Sequence, residues 1–330
     1  MENPTDLNGL AVNLSDLEVA LFLCLSVGEH CRIDVTNENI HDVAKELALI
    51  SSSTFGLSNS ILDFSTATSF DHFWRGIIPS DARRLQTSEQ IVNVVIAKNF
   101  SHADENLQLH MLELMRTKKL STQETTLQAP ENFIFLPLTV RSAGDDSPKL
   151  NPHLNDHLLI SHFHDTHDDY VYLEDSNDWL SDQASVSSVV RKSDMSLKKG
   201  HPFIDRTLLD ELRQASESVT AGAELLRYQQ DIVVFLRLSR AVSGGITTRS
   251  NVHFKQLSKL LAALHGIDYL TPSIVALAAK KVFRHRIVVA TPDDDRSLQY
   301  GSDPAAVAKA LSYATPDTIL DSVLTLEMPV

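Results

Sequence analysis

The sequence predicts an α/β domain followed by an all-helical domain, and three observations lead to this prediction. Between about residues 13 and 172, helix-like and strand-like hydrophobic periods alternate, which is typical of a sheet flanked by helices. Between residues 174 and 200, the composition shifts to Ser, Asp and Lys, as in a linker or a long surface excursion. After this stretch, the hydrophobic pattern is helical throughout.

In the first domain, the strongest strand signal is the run IVNVVIA at residues 91–97, because an uninterrupted apolar run is typical of a buried parallel strand. The opening helix, residues 14–25, has Asn13 or Ser15 as its N-cap. Further helices are predicted at residues 40–50 and 107–115, and further strands at residues 30–35, 60–64 and 132–140.

In the second domain, helices are predicted at residues 207–214, 223–241, 248–264 and 273–284. Gly244-Gly245 separates two of these helices, Gly266 ends the third, and Thr271-Pro272 supplies an N-cap followed by Pro at the first helical position. Long helices joined by short turns predict a helical bundle. We therefore divide the chain into four parts, which are an α/β domain, a linker, a helical domain and a helical tail at residues 1–172, 173–204, 205–290 and 291–330.

The amino-acid composition limits the binding partners and the cellular compartment that can be expected for this protein. The chain has 29 Lys and Arg against 43 Asp and Glu, and the resulting net charge of −14 disfavours nucleic acid as a partner. Two cysteines, Cys24 and Cys31, do not form a disulfide framework or a Cys-x-x-Cys site. No signal or membrane-spanning segment is recognised, so we predict a cytoplasmic protein without membrane contact.

Three segments of the helical domain carry a resemblance to a known family. They are Gly245-Ile246-Thr247-Thr248-Arg249-Ser250, the run from Leu264 to Pro272 (LHGIDYLTP), and His285-Arg286-Ile287, and Arg227-Tyr228 precedes them. In this order and at this spacing, they resemble the lid domain of the magnesium-chelatase and MoxR-type AAA+ ATPases, in which the corresponding segments run roughly G-A-S-P-R-A, G-R-x-x-V-T-P and L-x-H-R-I. The resemblance covers about residues 205–290.

The resemblance implies a nucleotide-binding αβα domain before the lid, with ATP and Mg²⁺ as cofactors if the family activity is retained. A phosphate-binding loop needs glycines, a Lys and a Ser or Thr, but residues 35–42 (VTNENIHD) contain neither glycine nor lysine. The strand at residues 91–97 should be followed by Asp-Glu, to hold the metal and orient water, and Lys98 and Asn99 stand there instead.

Other positions of the implied site are also changed. The sensor Asn falls near Val140, and Asp156 falls where the family has an arginine finger. Only Arg249, at the second-sensor position, is retained as a candidate nucleotide-binding residue. Arg249 could also be a solvated residue of a first helical turn, and Lys98 could pair with a surface acid.

We therefore predict a degenerate AAA+ protein that is a non-catalytic scaffold or regulatory subunit, without catalytic residues, cofactor or metal site. Its expected partners are proteins, either AAA+ subunits or further copies of the same chain. The alternative is an active ATPase subunit of magnesium-chelatase type, which would couple ATP hydrolysis to insertion of Mg²⁺ into a porphyrin.

A second alternative is a metal-dependent hydrolase. Five imidazoles and four carboxylates are concentrated within residues 153–169: His153, His157, His162, His164, His167, Asp156, Asp165, Asp168 and Asp169. The run from His162 to His167 is similar to the His-x-His-x-Asp-His motif of metallo-β-lactamase-type hydrolases, but Asp165 comes one position early and Thr166 occupies the position of the acid. A solvated polar strand end explains the same residues without a metal.

Overall fold

The computed structural model describes residues 13–64, 70–79, 90–121, 126–141, 150–165, 170–173 and 203–325. The chain divides into two compact units. The α/β unit contains Val12–Lys149 and His162–Leu209, and the helical unit contains Met1–Ala11, Leu150–Ser161 and Asp210–Val330.

A five-stranded sheet forms the centre of the fold. Its strands are β1 (His30–Val35), β2 (Asn59–Asp63), β3 (Val94–Lys98), β6 (Ile134–Val140) and β7 (Leu158–Phe163), in the order β2-β3-β6-β1-β7. The pairs β2–β3, β3–β6 and β6–β1 are parallel, so the carboxyl ends of these four strands meet at one edge, where ligands bind in open α/β sheets. Strand β7 begins in the helical unit and ends in the α/β unit.

The strands of the sheet are apolar because both faces are covered. Val94, Val95, Ile96 and Ala97 of β3 are all completely buried. Four further helices and a short antiparallel hairpin are present in the described part of the α/β unit: α1 (Asp16–Val27), α2 (Ile40–Ser53), α3 (Phe70–Ile77), α4 (Glu105–Thr117), β4 (Lys119–Ser121) and β5 (Thr126–Gln128).

Helix α1 has clear start and stop signals. Ser15 and Glu18 form a reciprocal capping box at its first turn. Gly28 ends the helix in the left-handed conformation, with φ of 69°. Of the two N-cap candidates, Ser15 is therefore the one that the structure uses.

The helical unit contains short strands as well as helices. Its elements are α5 (Pro152–Asp156), α7 (Ala223–Leu238), β8 (Val242–Gly244), α8 (Thr248–Leu264), α9 (Pro272–Phe283), β9 (Val288–Val289), α10 (Pro304–Leu311) and α11 (Pro316–Leu324). Helix α6 (Arg206–Ser218) begins in the α/β unit and continues into the helical unit. Among the described residues, no helix is long and apolar enough to cross a membrane.

The observed elements follow the predicted pattern with a few differences. The helix predicted at residues 223–241 ends at Leu238, and β8 follows it and pairs with β9. The predicted tail forms α10 and α11, which bury Val307, Leu311, Ile319, Leu320 and Val323. The two helices belong to the helical unit.

Candidate functional site

The carboxyl-terminal edge of the parallel sheet is the first candidate site, and Lys98 is its most constrained side chain. Lys98 ends β3 opposite Asp63, which ends β2. Its Nζ lies 2.8 Å from Oδ2 of Asp63 and 2.9 Å from Nδ1 of His41 in the first turn of α2. The Lys98 side chain is only 12% exposed, whereas that of Asp63 is 39% exposed. Lys98 therefore forms an ion pair with a surface acid, as the sequence analysis allowed.

The connection between β1 and α2 is closed by hydrogen bonds of its own side chains. The N–H of Thr36 donates to Oδ1 of Asn39 over 2.9 Å. Asn39 is buried, and its Nδ2 donates to the carbonyl oxygen of His164 over 3.2 Å. This connection contains no glycine that would let a phosphate approach the backbone closely, and one of its N–H groups is already bonded within the loop.

The neighbouring strands present Asn99, Asp34 and Val140 at or near their carboxyl ends. Asn99 follows Lys98 in the left-handed conformation, with φ of 55°, and begins a short 3-10 turn. Asp34 of β1 accepts hydrogen bonds from Oγ1 of Thr139 over 2.5 Å and from Nε of Arg32 over 2.7 Å. Val140 ends β6 at the position where the resemblance places a sensor Asn.

The helical unit contains a second polar cluster, which is centred on the buried side chain of Arg286. Its guanidinium donates to the carbonyl oxygens of Val282 and Leu158, over 2.5 and 2.6 Å. It also donates to Nδ1 of His253 over 2.7 Å, and its Nε lies 3.4 Å from Oδ1 of Asp156. The Arg286 side chain is 1% exposed, so these partners replace the water that the cation has lost.

The residues that carry the family resemblance converge on this cluster. Gly245 has φ of 94°, and a β-carbon on it would lie 1.7 Å from the carbonyl oxygen of Arg286. Thr247 caps α8 by accepting from the N–H of Ser250 over 3.0 Å, and its hydroxyl donates to Oδ1 of Asp156 over 2.7 Å. The Gly-x-Thr and Arg segments that carry the resemblance therefore pack against each other in this chain.

Asp156 lies within this cluster, although the resemblance places it at an arginine-finger position. Its carboxylate is bound to Thr247 and Arg286 of the same chain. A carboxylate with these partners is a structural acceptor and supplies no positive charge to a phosphate.

Arg249 lies in the first turn of α8 and is exposed. Its Nη1 is 3.1 Å from Nδ1 of His157. The contact is with an imidazole and not with a carboxylate. The role of Arg249 in nucleotide binding stays a prediction.

The predicted histidine cluster is divided between the two units. His153 and His157 belong to the helical unit, and His162 and His164 belong to the α/β unit. His162 and His164 are buried, with ring centroids 6.3 Å apart. His167, Asp168 and Asp169 lie outside the described residues. Within the described ranges, no group of three or more His, Cys, Asp or Glu could hold a metal ion.

Part of the helical unit matches the model of a known protein family. Residues 235–309 match the AAA lid domain. The match begins near the end of α7 and continues through α8, α9 and α10. It contains Gly245, Thr247, His253 and Arg286 of the polar cluster described above, whereas Asp156 and Leu158 of that cluster lie outside the matched region.

The whole fold is also similar to that of a solved structure. A putative ATPase from Cytophaga hutchinsonii ATCC 33406 superposes with a TM-score of 0.60 over 93% of this chain and 88% of that chain, with 15% sequence identity. This likeness concerns the fold alone. The predicted fold class, an AAA+ type α/β domain followed by a helical lid domain, is confirmed.

Two curated relatives match part of the chain. Maintenance of telomere capping protein 2 from Lachancea thermotolerans is 33% identical over 109 residues, which are 32% of this chain and 38% of the relative. The protein of the same name from Kluyveromyces lactis is 29% identical over 101 residues, which are 29% of this chain and 37% of the relative. The chain thus spans less than two fifths of the length of these relatives.

Sequence reasoning missed two features of these sites. It placed Lys98 at the sheet edge but did not identify Asp63 and His41 as its partners. The motif His285-Arg286-Ile287 includes Arg286, but the burial of its side chain is not predicted. Arg284 and Arg286 both follow the apolar helix α9, and the sequence gives no local signal that distinguishes the buried Arg286 from Arg284.

Proposed function

We propose that this protein is an AAA+-like scaffold or regulatory subunit that does not hydrolyse ATP. The observation that carries the proposal is the ion pair of Lys98 with Asp63 at the carboxyl edge of the sheet. In the family that the sequence resembles, this edge presents acids to Mg²⁺. Here the edge presents an ammonium group whose counterion belongs to the same chain.

The physical argument concerns charge. Phosphoryl transfer depends on positioning and on neutralising the charge of the phosphates, largely through a bound metal. A Mg²⁺ ion at this edge would meet the positive Lys98 and would compete with it for Asp63. The β1–α2 connection adds no lysine and no glycine that could replace the missing contacts.

The proposal extends to the partners of the protein. A lid without nucleotide chemistry can still contribute surfaces to an assembly, so we propose AAA+ subunits or a second copy of this chain as partners. The net charge of −14 supports protein partners over nucleic acid.

The name of the two relatives suggests a process for this role. We propose that the chain acts in telomere capping through protein contacts. A direct test is replacement of the Kluyveromyces lactis relative by this chain, followed by measurement of single-stranded DNA at chromosome ends. Capping should be restored, and uncapped ends equal to those of the deletion strain would contradict this part of the proposal.

The alternative enzyme is an ATPase subunit of magnesium-chelatase or MoxR type. The lid motifs around Gly245 and Arg286 favour this branch of the AAA+ proteins, because they resemble its segments. The altered positions at Lys98 and at residues 35–42 favour the inactive form.

An ATP hydrolysis assay separates the two candidates. We expect phosphate release with ATP and Mg²⁺ to stay at the level of a protein-free control. The control variant is Arg249→Ala, which removes the candidate phosphate contact and leaves Lys98 in place. Turnover above background that disappears in Arg249→Ala would establish the ATPase and overturn the proposal. Native mass spectrometry with and without ATP then tests whether assembly depends on nucleotide.

A further inference from the structure

A short segment before the Ser-, Asp- and Lys-rich stretch is held by one buried carboxylate. The N–H groups of Val171 and Tyr172 both donate to Oε1 of Glu46 over 2.9 Å, and the N–H of Leu173 donates to Oε2 over 3.0 Å. Glu46 lies on α2 and is 1% exposed. Three consecutive backbone donors on one carboxylate make a strong, charge-assisted attachment.

A second buried carboxylate, Glu18 of α1, holds the same segment through hydroxyl groups. The Oγ1 of Thr54 donates to Oε1 of Glu18 over 2.8 Å and lies 2.5 Å from the hydroxyl of Tyr172. Because a hydroxyl has one proton, Thr54 donates to Glu18 and accepts from Tyr172. The result is a directed chain from Tyr172 through Thr54 to Glu18.

The two carboxylates form no ion pair within the described parts of the chain. Burial raises the pKa of Glu46, and the negative charge of Glu18 adds to this effect, while the three backbone donors oppose it. Burial also raises the pKa of Tyr172, and the negative charges of Glu18 and Glu46 add to this effect, while the hydrogen bond to Thr54 opposes it. The hydroxyl of Tyr172 therefore stays protonated and remains a donor.

The end of the same stretch returns to the same residue. The N–H of Ile204 donates to the carbonyl oxygen of Thr54 over 2.8 Å, and Ile204 is 1% exposed. The ring of Phe203 lies against Gly56, 3.3 Å from the position of a β-carbon there. Thr54 thus binds the segment before residue 174 with its side chain and the segment after residue 202 with its backbone.

We propose that Thr54 couples these two attachments into one latch, so that they open and close together. We call it the Thr54 latch and define it by Glu18, Glu46, Thr54, Tyr172 and Ile204, all of which belong to the α/β unit. Release of Glu46 frees Tyr172, which removes a partner from the Thr54 hydroxyl. Thr54 directly follows α2, so loosening its side chain also loosens the carbonyl group that holds Ile204.

The latch acts on the two described segments that flank residues 174–202. Both segments, residues 170–173 and 203–209, belong to the α/β unit, and α6 begins in that unit and continues into the helical unit. The proposed latch therefore joins two segments of one unit.

Hydrogen exchange of individual backbone amides tests the coupling in the full chain. In Glu46→Ala, exchange at Val171, Tyr172 and Leu173 should rise about tenfold or more, and exchange at Ile204 should rise by at least about threefold. The matched control is Lys45→Ala, which changes the neighbouring exposed residue of α2 and should leave all four amides unchanged.

Tyr172→Phe provides a second variant, which removes one hydroxyl and keeps the ring. It should accelerate exchange at Ile204 by about threefold without loss of the folded state. An Ile204 amide that exchanges at its original rate in Tyr172→Phe would show two independent attachments and would overturn the proposed latch. The same conclusion would follow if Glu46→Ala released residues 171–173 alone.

Discussion

Gly245 is a residue whose backbone conformation and packing both exclude a side chain. Its φ of 94° is unfavourable for any other residue, and a β-carbon would collide with the carbonyl oxygen of Arg286 at 1.7 Å. We expect Gly245→Ala to lower the free energy of unfolding by about 2 kcal/mol or more. The measurement is denaturant unfolding followed by circular dichroism.

The neighbouring Gly244 is the matched control for this substitution. A β-carbon on Gly244 would meet nothing within 4 Å. Gly244→Ala should therefore change the free energy of unfolding by less than about 0.5 kcal/mol. Equal effects of the two substitutions would contradict the packing of Gly245 against Arg286.

The contribution of Glu46 to the free energy of unfolding should depend on pH. Because burial raises the pKa of Glu46 in the folded chain, the folded state binds this proton more tightly than the unfolded state does. Lowering the pH through the range between the two pKa values therefore adds stability through this group. In Glu46→Gln the group does not titrate.

The measurement compares unfolding free energies of the wild-type chain and Glu46→Gln between about pH 7 and pH 4, a range that spans the ordinary pKa of Glu. As the pH falls, the unfolding free energy of the wild-type chain should increase relative to that of Glu46→Gln. A difference that moves in the opposite direction would mean that the backbone donors of residues 171–173 outweigh burial.

At the residue scale, sequence position was informative about Lys98 and uninformative about its partners. The strand signal at residues 91–97 placed Lys98 directly after a buried strand, because strand periodicity is a local property. Asp63 and His41 are distant from Lys98 in sequence and meet it only through the parallel register and the packing of α2. Such contacts follow from the assembled fold and not from a local pattern.

At the element scale, Thr247, the N-cap of α8, forms hydrogen bonds both within its own helix and with another segment. Thr247 accepts from Ser250 and donates to Asp156, whereas Thr271, the N-cap of α9, accepts from Ile274 over 3.4 Å and meets the Ser273 hydroxyl. We expect Thr247→Ala to lower the free energy of unfolding by about 2 kcal/mol and Thr271→Ala to lower it by about 0.5–1 kcal/mol. Thermal unfolding of both variants provides the comparison.

Thr247→Ser keeps the hydroxyl and controls for loss of the methyl group. It should retain most of the stability of the wild-type chain. If Thr247→Ser destabilises as much as Thr247→Ala, the hydrogen bonds to Ser250 and Asp156 are not the cause.

Most of the longer elements were predicted from the sequence, although helix α3 and strand β7 were not, and the shortest strands were all missed. The predicted strand at residues 30–35 and the helices α8 and α9 appear close to their expected positions because their hydrophobic periods and caps are complete. The strands β8 and β9 and the hairpin β4–β5 have two or three residues each. A segment of two or three residues is too short to show the hydrophobic alternation that predicts a strand. These segments are strands only because they pair with another segment in the folded chain.

At the scale of the whole molecule, helices α10 and α11 contribute to the core of the helical unit. The apolar faces of α10 and α11 are buried, with Ile319 and Leu320 each 1% exposed. Ion pairs also join α9 to α11, between Lys280 and Asp321 and between Arg284 and Asp317. We therefore expect a fragment of residues 205–325 to unfold cooperatively on heating.

A fragment of residues 205–290 lacks these helices and is the comparison. It should show lower helicity per residue and no cooperative transition, because the apolar surface of α7 and α9 would be open to water. Circular dichroism of the two fragments tests this. A cooperative transition of equal midpoint in both would show that α10 and α11 are dispensable.

The ion pair between Lys98 and Asp63 also bears on the effect of a substitution at Lys98. Substituting Lys98→Asp would restore an acid at the end of β3, but that acid would face Asp63 across the register with no cation between them. The two carboxylates would repel each other, and His41 would lose the partner that it now has. We therefore expect Lys98→Asp alone to be destabilising. A second substitution that removes the charge of Asp63 would be needed before an acid at the end of β3 could be accommodated without this repulsion.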